Sequence, residues 1–137
     1  RLEKNWGAWT LDFRPDFTAA ESGLDIFINW NKDFIGKESS LIEKKQGVKK
    51  KLVTMIIDTK DIDVTNDEAI LKDNKCIGYI TSGGYAHHVK KSMALGYVPE
   101  KFSKHETALN VEINGKLYSA HVTDRPLYDA NGEKMRA

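Results

Sequence analysis

From Leu52 to Val122 the chain alternates apolar and polar positions in short runs, each stopped by turn-forming residues. Leu52–Ile57, LVTMII, is a β-branched run of strand type. Ile70–Lys72 and Lys75–Ile80 flank Asp73-Asn74, a two-residue link whose side chains tolerate the left-handed conformations of a tight hairpin. Ala108–Ile113 and Lys116–Val122 flank Asn114-Gly115, the strongest short hairpin signal in the chain. Between these pairs lies Gly78–Tyr97, GYITSGGYAHHVKKSMALGY. It predicts a strand, a break at Thr81-Ser82-Gly83-Gly84, a polar link, and a second strand over Ser92–Val98. The break is expected because adjacent glycines permit positive φ. Pro99, lacking an N–H, closes the second strand. Short strands with turns every ~8–12 residues predict a mainly β fold, a small Greek-key-like barrel of about six strands.

The first third of the chain has a different texture. Arg14-Pro15-Asp16 opens a turn, and Asp25–Trp30, DIFINW, alternates well enough to predict a short strand. Gly36–Gln46 reads as one short helix, with Ser39, Ser40 and Glu43 outside and Leu41 and Ile42 toward the core; Gly47 is expected as its left-handed stop. Trp6 and Trp9 stand three positions apart. They suit either an apolar cover over a core edge or, with a nearby acid, the wall of a pocket for a flat heterocycle.

Composition narrows the classes. With 137 residues, 40% of them apolar, the chain suits one compact domain, or one domain plus a piece of another. Twenty-one basic against twenty acidic residues leave a formal charge of +1, so no global field argues for nucleic acid or a membrane surface. No run approaches the ~18 apolar residues of a spanning helix. The single cysteine, Cys76, cannot form an internal disulfide or a thiolate metal site, and is expected as a small buried side chain in a reducing compartment. Asp58, Asp61, Asp63 and Asp67 share a loop that lacks the glycine and terminal glutamate of a calcium loop. His87 and His88, being adjacent, would point to opposite faces of a strand and could not share a metal. His105 and His121 have no acid or nucleophile near them in sequence arranged as a catalytic pair. There is no phosphate-cradling loop and no dinucleotide fingerprint. No metal site is therefore expected in this chain, and no Ser/His/Asp arrangement is visible in it.

Several phrases are more specific than their periodicity. Gly78-Tyr79-Ile80-Thr81-Ser82-Gly83-Gly84-Tyr85 followed by Lys91-Ser92-Met93-Ala94-Leu95-Gly96-Tyr97 resembles the signature stretch of the glycine-cleavage T-protein (aminomethyltransferase) family. The resemblance is nearest to the branch fused to flavin-dependent dimethylglycine and sarcosine dehydrogenases. Arg1-Leu2-Glu3-Lys4, with Trp9 as its aromatic, is similar to that family's R-L-E segment, although Asn5 stands where Gly is more usual. Thr18, Glu21, Gly23 and Leu24 resemble a T-P-x-E-A-G-L element, with Ala19 and Ser22 departing from it. Lys32-Asp33-Phe34-Ile35-Gly36 and Arg125–Arg136 resemble two further family elements, Ala130 replacing a proline in the second.

The resemblance implies a division at residue 46. Residues 1–46 would be the tail of an α+β folate-binding domain with its linking helix, and residues 47–137 the C-terminal barrel. It implies tetrahydrofolate as cofactor, with Glu3 gripping the pterin edge through two hydrogen bonds and Trp9 supporting the pocket wall. Lys32 could approach the folate carboxylates, although the spacing differs. Lys44, Lys45, Lys49, Lys50 and Lys51 suit a solvated helix end, or else attraction for a polyglutamate tail; without interleaved aromatics they do not suit nucleic acid. The expected partners are the upstream folate-binding domain and a flavin domain carrying FAD, both of the same protein. The family's catalytic aspartate lies before the R-L-E segment, so the chain by itself should be inactive, and its N-terminus is expected upstream of Arg1. The compartment would be the cytoplasm in a bacterium or the mitochondrial matrix in a eukaryote. Two alternatives stay open: a non-catalytic barrel that packs on a partner domain, or another folate-dependent demethylase or tRNA-modification relative.

Overall fold

The computed structural model describes all of residues 1–137. Six strands, β1 Lys50–Ile57, β2 Ala69–Lys72, β3 Lys75–Ala86, β4 Lys91–Pro99, β5 Ala108–Ile113 and β6 Lys116–Thr123, close into an antiparallel barrel in the order β1-β4-β3-β2-β5-β6. Three tight hairpins join β2 to β3, β3 to β4 and β5 to β6. The longer 58–68 connection returns β1 to the far side of that set, beside β4, which is the Greek-key arrangement. Asp73 and Asn74 both have positive φ (50° and 60°), as do Asn114 and Gly115 (49° and 75°), so both expected two-residue hairpins take the turn geometry that matches strand twist.

The barrel interior is filled by alternate residues: Val53, Met55 and Ile57 of β1, Ala94 and Val98 of β4, Val111 and Ile113 of β5, and Val122 of β6. Val64, from the β1–β2 connection, joins this core with no exposed surface and Ile62 packs against it, so that acidic loop is anchored by two apolar side chains. β4 departs from simple alternation. Met93, Leu95 and Tyr97 lie outside the interior cluster yet are as buried as the residues between them. Something else covers the outer wall of β4.

Five sequence expectations need correction. The break at Thr81–Gly84 is not there. β3 runs on through Ala86 with a bulge between Ile80 and Ser82, and the chain reverses at 87–90 instead. The glycine at 83 is needed for close approach, since a Cβ there would lie 2.6 Å from the Val64 carbonyl oxygen. Asp25–Trp30 forms a single 3₁₀ turn, Asp25–Phe27, rather than a strand, with Ile26 and Phe27 both exposed and no strand beside them. In the helix α1, Lys37–Gln46, Ile42 faces outward, and Gly47 ends it at φ 84°, ψ 168°, a glycine region different from the left-handed helical one. Cys76 is exposed, because it sits beside the β2–β3 turn where the barrel interior has ended.

Candidate functional site

The cover over β4 is the N-terminal segment, and a buried carboxylate holds it there. Asp12 has no exposed surface. Its Oδ2 accepts hydrogen bonds from the Ala8 N–H at 2.7 Å and the Ser82 hydroxyl at 2.8 Å, and its Oδ1 accepts one from the Thr81 hydroxyl. The Arg1 guanidinium stands 3.3 Å from Oδ2 and also donates to Ser82 Oγ at 3.0 Å. A buried carboxylate is tolerated only when its lone pairs are used, and these donors use them. The bulge after Ile80 lets Thr81 and Ser82 both reach the outer wall, where alternation would have sent one inward.

Tyr97 makes the second attachment. Its hydroxyl donates to the Asp12 carbonyl oxygen at 2.9 Å and lies 2.8 Å from Ser22 Oγ, while the Phe17 ring stacks on it at 3.5 Å and 9°. Burial pushes the phenol up to about 12, with the Asp12 and Glu21 charges adding to the rise and the Ser22 hydrogen bond opposing it. The Leu52 N–H donates to the Glu21 carbonyl at 2.8 Å, continuing the attachment onto β1.

Glu3 lies in the 3₁₀ turn Leu2–Lys4 and is half-buried. Its Oε1 accepts from the backbone N–H groups of His88, at 2.7 Å, and Val89, at 3.2 Å, so this oxygen caps the β3–β4 reversal; Oε2 accepts no hydrogen bond within the chain. Its carbonyl receives the Tyr128 N–H at 3.2 Å, and the Tyr128 ring packs 3.9 Å from His88. Beside it, Lys4 pairs with Asp129 at 3.2 Å. Burial alone would raise the Asp129 carboxyl, but hydrogen bonds from the Lys134 N–H and Lys4, with the Lys4 charge, hold it below its ordinary value. The first four residues thus clasp both the β3–β4 turn and the C-terminal tail.

Trp9 stands elsewhere. It is 78% exposed, packs edge-on against Phe13 at 5.7 Å, and lines an open groove of about 470 Å³ with Phe13, Pro15, Phe17 and Leu24. Glu3 does not line that groove, so the two sequence-predicted site residues are not brought into one cleft by these 137 residues. Lys32 is exposed, and of the lysine cluster Lys44 lies over the Trp30 ring at 4.5 Å. Sequence reasoning missed Asp12, Ser22 and Tyr97. The available signal was the Thr81-Ser82 pair, two hydroxyls placed side by side in an otherwise apolar run.

Fold and contacts together define a small Greek-key barrel domain whose outer wall carries a latched N-terminal segment. Residues 50–129 match the glycine cleavage T-protein C-terminal barrel domain, and the chain belongs to that family. It is 39% identical over 129 residues to the mitochondrial dimethylglycine dehydrogenase of Homo sapiens, covering 93% of this chain and 15% of that protein. It is 36% identical over 133 residues to an aminomethyltransferase of Picosynechococcus sp., covering 96% of this chain and 36% of that protein. The crystal structure of the glycine cleavage system aminomethyltransferase T from Bartonella henselae superimposes with a TM-score of 0.88 at 24% identity, over 95% of this chain and 37% of that one, a likeness of fold. The chain therefore spans well under half the length of these relatives. No helix in it is long and apolar enough to cross a membrane.

Proposed function

We propose that this chain is the C-terminal part of a tetrahydrofolate-dependent aminomethyl- or one-carbon-transfer enzyme, either a simple aminomethyltransferase or the corresponding half of a dimethylglycine or sarcosine dehydrogenase. The observation that carries this reading is the distribution of exposed apolar side chains. Trp6, Trp9, Ile26, Phe27, Ile35 and Ile42, with Leu11 and Phe34, all fall within the first 42 residues, against three elsewhere. Such concentration in one segment suits apolar surface that another body covers, and that body would be a preceding folate-binding domain of the same protein, to which residues 1–46 would belong. FAD would be carried by a further upstream domain in the dehydrogenase form. The compartment would follow the host, mitochondrial matrix or bacterial cytoplasm.

Glu3 is the residue proposed to touch folate. A two-point grip on the pterin edge needs both carboxylate oxygens, and Oε1 is already taken by the His88 and Val89 N–H groups. The arrangement therefore fits a single hydrogen bond, accepted by Oε2 from a pterin N–H, with the β3–β4 turn fixing the carboxylate's orientation. Trp9 would contribute its exposed indole to the wall that the preceding domain completes. Bound there, tetrahydrofolate would accept the one-carbon unit. The residues of this chain would bind and orient it, and the barrel would brace them from behind.

In the full-length protein, Glu3→Gln should weaken folinic acid binding about tenfold, the scale of one charge-assisted hydrogen bond, measured by quenching of tryptophan fluorescence. Equal affinities in the two proteins would take Glu3 out of the site. The purified 137-residue chain should show no turnover of dimethylglycine or of an aminomethyl donor.

A further inference from the structure

One end of the barrel opens into a cleft of about 790 Å³ that none of the contacts described above uses. Its floor is the end of the interior: Ile57 of β1 pairs with Ser92 of β4 on one side and with Ala120 of β6 on the other, and all three are buried. Ser92 is only 3% exposed and its hydroxyl has no hydrogen-bond partner in the chain. A buried hydroxyl without a partner destabilises a fold, and each such group calls for an explanation.

Around that floor stand three lysines, Lys60, Lys90 and Lys91, all exposed and none engaged in a hydrogen bond or ion pair. Two carboxylates share the rim, Asp58 and Glu106, the second already beside the His105 imidazole at 3.3 Å. Tyr85, opposite Ser92 across the β3–β4 pair, adds a half-exposed aromatic wall. The volume matches that of small-molecule sites, and barrel mouths are among the places where such sites occur. Apolar floor, aromatic wall, unpaired cations and one unsatisfied donor are together the complement of an amphiphilic anion.

The geometry points to a second ligand site at this mouth, for a small organic anion whose apolar body lies against Ile57 and Tyr85. Its carboxylate or phosphate faces Lys60 and Lys91, and the Ser92 hydroxyl, sealed at the floor until the anion binds, turns about χ1 to donate to it. Glu3 and Trp9 take no part in it, so the site stands apart from the folate reading.

The test is titration of the full chain with benzoate, phenyl phosphate and neutral benzamide at constant ionic strength, followed by backbone amide shifts and by melting temperature. Both anions should shift the amides of Lys60, Lys91 and Ser92 saturably, with benzamide at least tenfold weaker. Whichever anion binds tighter identifies the headgroup. Lys60→Gln with Lys91→Gln should abolish the preference for charge. Ser92→Ala should separate binding from folding, raising the melting temperature without probe while weakening the anions at least threefold. Absence of saturation, equal binding of benzamide, or unchanged affinity in Ser92→Ala would each overturn the site.

Discussion

Asp12 shows how much a single side chain can organise. Four donors from two distant parts of the chain converge on its carboxylate, and three of them, from Ala8, Thr81 and Ser82, are uncharged. Removing the acceptor leaves the Ala8 N–H and the Ser82 hydroxyl without it, while Thr81 keeps the Leu95 carbonyl at 3.2 Å, and unpaired donors cost more than the hydrogen bonds contribute in net terms. Asp12→Ala should therefore lower unfolding stability by about 3 kcal/mol, read from urea denaturation, and should raise the protease sensitivity of residues 1–36 before that of the barrel. This site was not legible in the sequence. An aspartate after Leu11 looks like any solvated acid, and only the bulge in β3 turns Thr81 and Ser82 toward it. Glu3 was singled out for folate from its phrase alone, whereas its bond to the β3–β4 turn depends on a contact across 85 positions of sequence.

At the scale of elements, two kinds of signal behaved differently. Asp73-Asn74 and Asn114-Gly115 specify their hairpins locally, because their own side chains tolerate the positive φ that the turn demands. The strand ends beside these turns were therefore readable, although β3 runs on at its far end from Ile80 to Ala86. Gly83 misled for the opposite reason. It serves close packing against Val64, a residue from a different connection, and local sequence does not reveal what approaches a glycine from outside. Gly83→Ala should cost about 1–3 kcal/mol through overpacking, since the obstacle is backbone and cannot swing aside. Calorimetric melting should show the loss, and an unchanged melting temperature would mean that the 58–68 connection is looser than its buried valine indicates. The segment Asp25–Trp30 failed as a strand because alternation alone does not supply a neighbour to pair with.

For the whole molecule, Tyr97 joins the barrel to its covering segment and titrates in a way that reports on the joint. Its phenol ionises near 10.0 in an unfolded chain and at about 12 here. The raised value means that the share of stability tied to this phenol is complete below pH 10 and is lost as pH climbs through 12, because the unfolded chain gives up the proton first. Alkaline titration of tyrosinate absorbance should show one late-ionising tyrosine, absent in Tyr97→Phe, and the variant should lose less stability across that interval. The family and the barrel were both visible in sequence, through phrases such as Gly78–Tyr85 and through strand spacing. The attachment of the first 46 residues was not, because it is made by tertiary contacts that no period encodes.

That attachment bears on where this protein can be cut. β4 is walled on both sides, from within by the other strands and from without by a segment that precedes the barrel in sequence. A cylinder excised at residue 47 would retain every strand, yet would offer water a seam of methionine, leucine and tyrosine. Dryness of that cylinder is thus lent to it by residues 12–22, and a cut that spares them should yield the better-behaved protein.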